Sequence, residues 1–149
     1  MENEIKRWFV QDKRRLLLVM MDELAGDAHI SFEGNLSALR FSSMPGVSHE
    51  ETVALRRNTR WPKQDFIVIP LEPSTIKAII SAMGGTVPND IIHIQIERGG
   101  VLQFAAYDNF HPHCVVFRTG VEQAVLTSLV AEGIIRPYTD RPPHGSTRG

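Results

Sequence analysis

The sequence predicts an α+β fold: a mixed, mainly antiparallel sheet of five to six strands with helices packed on one face, a long N-terminal helix and a disordered C-terminal tail. Three observations lead there. Segments near residues 28–33 and 92–97 alternate apolar and polar side chains, the two-residue period of a half-buried strand. The run Phe66-Ile67-Val68-Ile69 is continuously apolar, as in a strand covered on both faces. Other segments repeat apolar residues at three- and four-residue steps, the helical period.

Asn3 to Ala25 is expected to form one long helix. Ile5, Trp8, Phe9, Leu16, Val19, Met20 and Leu24 mostly follow helical steps, and Gly26 supplies a stop. Lys6, Arg7, Lys13, Arg14 and Arg15 give it a basic side, most simply a solvated face. Leu17, Leu18 and Met21 make its second half apolar nearly all round. Such a helix is buried, or docks against a protein partner or a second copy of the chain.

A hairpin should follow, with Ala28–Glu33 and Leu36–Phe41 flanking the two-residue turn Gly34-Asn35. That pairing gathers Ile30, Phe32, Leu39 and Phe41 on one face and His29, Ser31, Glu33 and Arg40 on the other. Ser48 and Glu51 read as a capping box opening a helix over 49–58, with a strand from Thr52 to Arg57 as the alternative. Asp65–Leu71 is a strand ended by Pro70 and Pro73. Ser74–Met83 is a helix with Ile76, Ile79, Ile80 and Met83 on one side, stopped at Gly84-Gly85. This strand–helix–strand succession allows a parallel crossover.

The second hairpin has a register that burial should decide. A two-residue Gly99-Gly100 loop opposes the apolar sets of its strands. A three-residue loop, Arg98-Gly99-Gly100, pairs Ile96 with Leu102, Ile94 with Phe104 and Ile92 with Ala106 on one face, and is therefore predicted. The other face then carries His93, Gln95, Glu97, Gln103 and Tyr107. Cys114–Arg118 is a short strand, and a capping box at Thr119–Glu122 opens a helix to about Glu132, ended by Gly133. A single domain is expected over 1–136, with 137–149, rich in proline, glycine and charge, as a flexible tail. The pentapeptides His29-Ile30-Ser31-Phe32-Glu33 and His93-Ile94-Gln95-Ile96-Glu97 echo one another, most simply because amphipathic strands look alike.

Composition bounds the function. Sixteen basic and seventeen acidic side chains leave a net charge of −1, which argues against nucleic acid or a membrane surface as the dedicated partner. Cys114 is the sole cysteine, so no intrachain disulfide exists. The apolar run Leu16–Met21 is too short for a secretory core or a membrane span, which needs about 20 apolar residues. A cytosolic location is expected.

Four constellations are chemically suggestive. His111 and His113, two apart, have spacing that lets imidazoles share a zinc-type ion, with Asp108, Cys114 or His93 as a third ligand. No paired Cys-x-x-Cys or His-Glu-x-x-His accompanies them, and a polar loop is the plainer reading. Cys114 sits beside His113 but before Val115-Val116-Phe117, as an inert buried thiol would. Arg56, Arg57, Arg60, Trp61 and Lys63 form the most basic stretch, able to hold phosphate or stack on a base. The polar hairpin face of His93, Gln95, Glu97, Gln103 and Tyr107 is expected to stay open for recognition. There is no P-loop, G-x-G-x-x-G or G-x-S-x-G, and no cofactor is implied. The sequence thus points to a small cytosolic interaction or small-ligand-binding protein without clear catalytic machinery. A metal-dependent enzyme using His111 and His113, or a phosphate or nucleotide binder using Arg56, Arg57 and Arg60, are the alternatives.

Overall fold

The computed structural model describes residues 7–138. Its first element already departs from the expected helix. Arg7–Val10 is a strand, β1, and the helix α1 spans Lys13–Leu24. Asp12 divides them: its extended backbone ends the strand, and its carboxylate accepts the Arg15 amide as an N-cap. Trp8, Phe9 and Val10 are strand formers, and pairing with the far end of the chain overrides their helical spacing. Residues 3–6 lie outside the described region.

Five strands form the main sheet: β2 (Ala28–Gly34), β3 (Asp65–Leu71), β4 (Ile91–Arg98), β5 (Val101–Ala106) and β6 (Val115–Phe117). Their order is β3-β2-β4-β5-β6, and every neighbouring pair is antiparallel rather than mixed. The helix α2 (Ile76–Ala82) connects β3 to β4, which run the same way on either side of β2, so the expected crossover spans a strand. After α3 (Gln123–Ala131), strand β7 (Ile135–Tyr138) pairs antiparallel with β1 as a separate ribbon. The strand therefore includes Pro137 and Tyr138, which composition places in the tail; 139–149 lie outside the described residues.

The first hairpin does not form. Both edges of β2 are taken by β3 and β4, and 36–41 has no strand. Gly34 is pressed so closely on the Asp90 carbonyl that a Cβ would collide with it. Phe41 nevertheless reaches the core from a 3-10 turn, stacking on Phe32 with centroids 4.4 Å apart. In the second hairpin the turn is the two-residue Gly99-Gly100, with Arg98 opposite Val101 and both glycines at positive φ. A bulge at Gln103 then restores the apolar register, setting Ile96 opposite Phe104 and Ile94 opposite Ala106. Leu102 is left on the other face, packed with Leu55, Phe66 and Val68.

The sheet buries both sides. On one, Ile30, Phe32, Ile67, Ile69, Ile94, Ile96 and Phe104 join Leu16, Leu17, Met20, Met21 and Leu24 of α1, Ile79 and Ile80 of α2, and Leu129 of α3. On the other lies the segment 49–64. It is neither the predicted helix nor its alternative strand. Ser48 does not cap a helix; it exchanges two backbone hydrogen bonds with Val68, and the chain continues as an irregular strap across the sheet. The Thr119–Glu122 box is also unused, since Glu122 precedes α3 without a side-chain cap.

Candidate functional site

The echo between 29–33 and 93–97 acquires a structural meaning from the β2–β4 register. Ser31 faces Gln95 at the centre, with His29 opposite Glu97 and Glu33 opposite His93. Antiparallel pairing of two similar sequences thus sets a histidine against a glutamate at both ends. Apolar Ile30 and Phe32 turn to the helices, so all these polar groups share the strap face.

Five of them, all but His29, are buried, contrary to the expectation of an open recognition face. Glu33 is 1% exposed and His93 2%. Glu33 accepts the Asn58 amide at 2.7 Å and the Thr59 amide at 3.1 Å, one on each carboxylate oxygen. The Asp108 amide donates to His93 Nδ1 at 3.1 Å, which leaves the ring proton on Nε2, 2.7 Å from Thr59 Oγ1. Gln95 Nε2 donates to Ser31 Oγ and to the Arg56 carbonyl, while its Oε1 accepts from the Tyr107 hydroxyl. These side chains are the seating of the strap, each polar group satisfied where water is excluded. Burial pushes the His93 pKa down, with Glu33 and Asp108 opposing, and pushes the Tyr107 hydroxyl up.

Asp108, Asn109 and Phe110 form three successive residues with positive φ, a strained turn for non-glycine side chains. The turn is held by the Asn109 side-chain amide on the Asn89 and Ile91 carbonyls and by burial of Phe110. It delivers the Asp108 amide to His93. Gln103 lies away from this cluster, accepting from the Gly120 amide at 2.7 Å.

At the other end, His29 Nδ1 is 2.6 Å from Glu97 Oε2, and Glu97 Oε1 accepts the Gly100 amide. This pair is only partly covered. His29 keeps 47% of its side chain exposed in a cleft of about 340 Å³ beside Thr52, Val53 and Ala54.

The basic stretch divides by position along the strap. Arg56 is engaged by Glu51 at 2.8 Å, which lowers the Glu51 pKa. Arg57 is half-buried, donating to the Gln64 carbonyl with its guanidinium 5.1 Å from the Phe66 ring centre. Arg60, Trp61 and Lys63 are exposed. Arg57 and Lys63 line a cleft of about 500 Å³ between the strap and loop 36–42. His49, Ser37, Ser42, Gln64 and Asp65 supply its remaining polar groups, and Leu36, Leu39, Phe41, Phe66 and Ile67 its apolar lining. His49 Nδ1 is committed to the Phe66 carbonyl and Asp65 to the Leu36 amide. Nothing in the sequence singles out His49, Ser37 and Ser42: Ser37 falls in the expected strand 36–41, Ser42 just beyond it, and His49 at the start of the expected helix 49–58. Glu33 and Thr59 were missed as anchors, since nothing local marks a buried carboxylate.

His111 and His113 are brought together, with ring centres 5.2 Å apart, and His111 Nδ1 accepts the His113 amide. Their envisaged third ligands are engaged elsewhere: Cys114 Sγ donates to Asp108, and His93 lies under the strap. Among the described residues, no group of three or more His, Cys, Asp or Glu side chains is arranged to hold a metal ion. Burial and the Asp108 carboxylate push the Cys114 thiol pKa up, so it favours the unreactive protonated form. The apolar excess of α1 is largely consumed inside the chain. Leu18 alone of the surplus leucines borders a surface groove, with Ile76 and Ile80. Among the described residues, no helix is long and apolar enough to cross a membrane.

Comparison of the chain with protein-family models, with curated proteins and with solved structures finds no match.

Proposed function

We propose that the protein is a non-enzymatic binder of a small anionic ligand with an apolar body, held in the cleft between the strap and loop 36–42. The observation that supports this reading most directly is the presentation of Arg57. A carbonyl and an aromatic face fix its guanidinium, so little side-chain freedom is lost on engaging a carboxylate or phosphate. Lys63 adds a charge that forms no ion pair among the described residues. Ser37 and Ser42 add hydroxyls, and the apolar lining suits the rest of such a ligand. Asp65 opposes an anion, but its bond to the Leu36 amide offsets part of its charge. A ligand of this kind suits a cytosolic protein.

Amide chemical-shift titrations with inorganic phosphate, phenyl phosphate and benzoate test the reading. Saturable shifts around Arg57, Ser42 and Lys63 are expected, strongest for phenyl phosphate. Arg57→Gln should weaken binding about tenfold or more, ~1.4 kcal/mol. Absence of saturable shifts, or shifts unchanged by Arg57→Gln, would refute it.

A further inference from the structure

The outer side of the strap carries a second feature, which borders the cleft at Lys63. Trp61 is 85% exposed and Val53 94%, and both belong to the same irregular segment. An indole left in water forgoes the stabilisation its apolar area would gain on burial. Here it is mounted on a rigid support. Asn58 and Thr59, just before it, are bonded to the buried Glu33, and Leu55 is fully buried. A loop so seated loses little ordering entropy when a partner docks.

Charge indicates the partner. From Arg56 to Gln64 the strap holds four cations and no acid, in a chain whose net charge is −1. Arg56 is neutralised by Glu51 and Arg57 faces the cleft. Arg60 and Lys63, flanking Trp61, form no ion pair among the described residues. Tryptophan and arginine are the residues that most often dominate binding energy at protein interfaces. We propose that Arg60, Trp61 and Lys63 form a docking surface for an acidic segment of a protein partner. Its carboxylates meet the two cations and an aliphatic side chain covers the indole. Two free cations on a near-neutral chain are too few to draw a phosphate backbone strongly.

The wild-type chain reports on this directly, because it has two tryptophans and Trp8 is buried. The indole N–H signal of Trp61, assigned by its loss in Trp61→Ala, is followed on adding a short Glu/Leu peptide, a Lys/Leu control or oligothymidylate. The Glu/Leu peptide alone should shift it saturably, about tenfold more weakly in Arg60→Ala, and less at high salt. Arg57→Gln should leave this response intact while weakening that to phenyl phosphate about tenfold, which separates the two surfaces. No shift with the acidic peptide, an equal shift with the lysine control, or a stronger one with oligothymidylate would overturn the proposal.

Discussion

Glu33 holds the strap with both carboxylate oxygens, each accepting one backbone amide in a site closed to water. Glu33→Gln keeps the shape but puts an NH2 group against one of those donors. A buried donor left without an acceptor costs about 1–3 kcal/mol. Urea unfolding should show a loss of that size, and amide exchange at Asn58 and Thr59 should quicken. His93 couples the same region to pH. Its folded pKa lies below the ordinary value of 6.5, because burial disfavours the imidazolium. Well above 6.5 the ring is neutral folded and unfolded, so its contribution does not vary with pH. As pH falls through 6.5 the unfolded chain takes up a proton that the folded chain refuses, and stability declines until the folded value is passed. The urea midpoint should therefore drop between about pH 7.5 and about pH 5.5, and His93→Gln should flatten that slope. Gly34→Ala should cost more than an ordinary surface change, roughly 2–4 kcal/mol, because the added methyl meets a backbone carbonyl that cannot step aside.

Elements marked by a steady period or a continuous apolar run were legible: β3, α2, β4, β5 and α3 fall close to where the apolar residues put them. The strap was not, because its one deeply buried apolar side chain, Leu55, has no periodic neighbours, and its order comes from polar groups distant in sequence. The same gap hid the candidate cleft, which needs loop 36–42 and the strap side by side. Arg57 and Lys63 were visible as a basic run, whereas nothing in that run says which cation faces inward. The hairpin register shows a subtler failure. Burial correctly required Ile94 and Ile96 to share a face with Phe104, but a bulge at Gln103 met that demand with the shorter turn. Leu102, displaced by the bulge, joins Leu55, Phe66 and Val68 in the small core that fastens the strap. Leu55→Ala empties the centre of that cluster and should cost about 2–5 kcal/mol. If the strap opens as a unit, exchange at Asn58, Thr59 and the Asp108 amide should rise together, ahead of β2 and β4. Faster exchange confined to Leu55's neighbours would instead mean that the polar anchors hold it alone.

At the scale of the whole molecule, the described ends of the chain are tied together by the β1–β7 ribbon. Val10 faces Ile135 and Phe9 faces Arg136, whose guanidinium lies 4.5 Å from the Phe9 ring centre. The ribbon reaches the main sheet through Trp8, edge-on to Phe117 of β6, with ring centres 5.8 Å apart. Trp8 therefore reports whether the ribbon is docked. Ile135 is 1% exposed and belongs to the main core, although its strand holds few other apolar anchors. Ile135→Ala removes that anchor while leaving every backbone bond of the ribbon available, at a cost of about 2–5 kcal/mol. In a Trp61→Phe background the remaining tryptophan emission should shift to the red under native conditions, as Trp8 leaves Phe117 for water. The five-stranded sheet has its own core on both faces, so far-UV circular dichroism should change little. An unshifted emission with the same loss of stability would show that Trp8 stays docked on Phe117 by itself, and that Ile135 contributes to the core rather than to closing the ribbon.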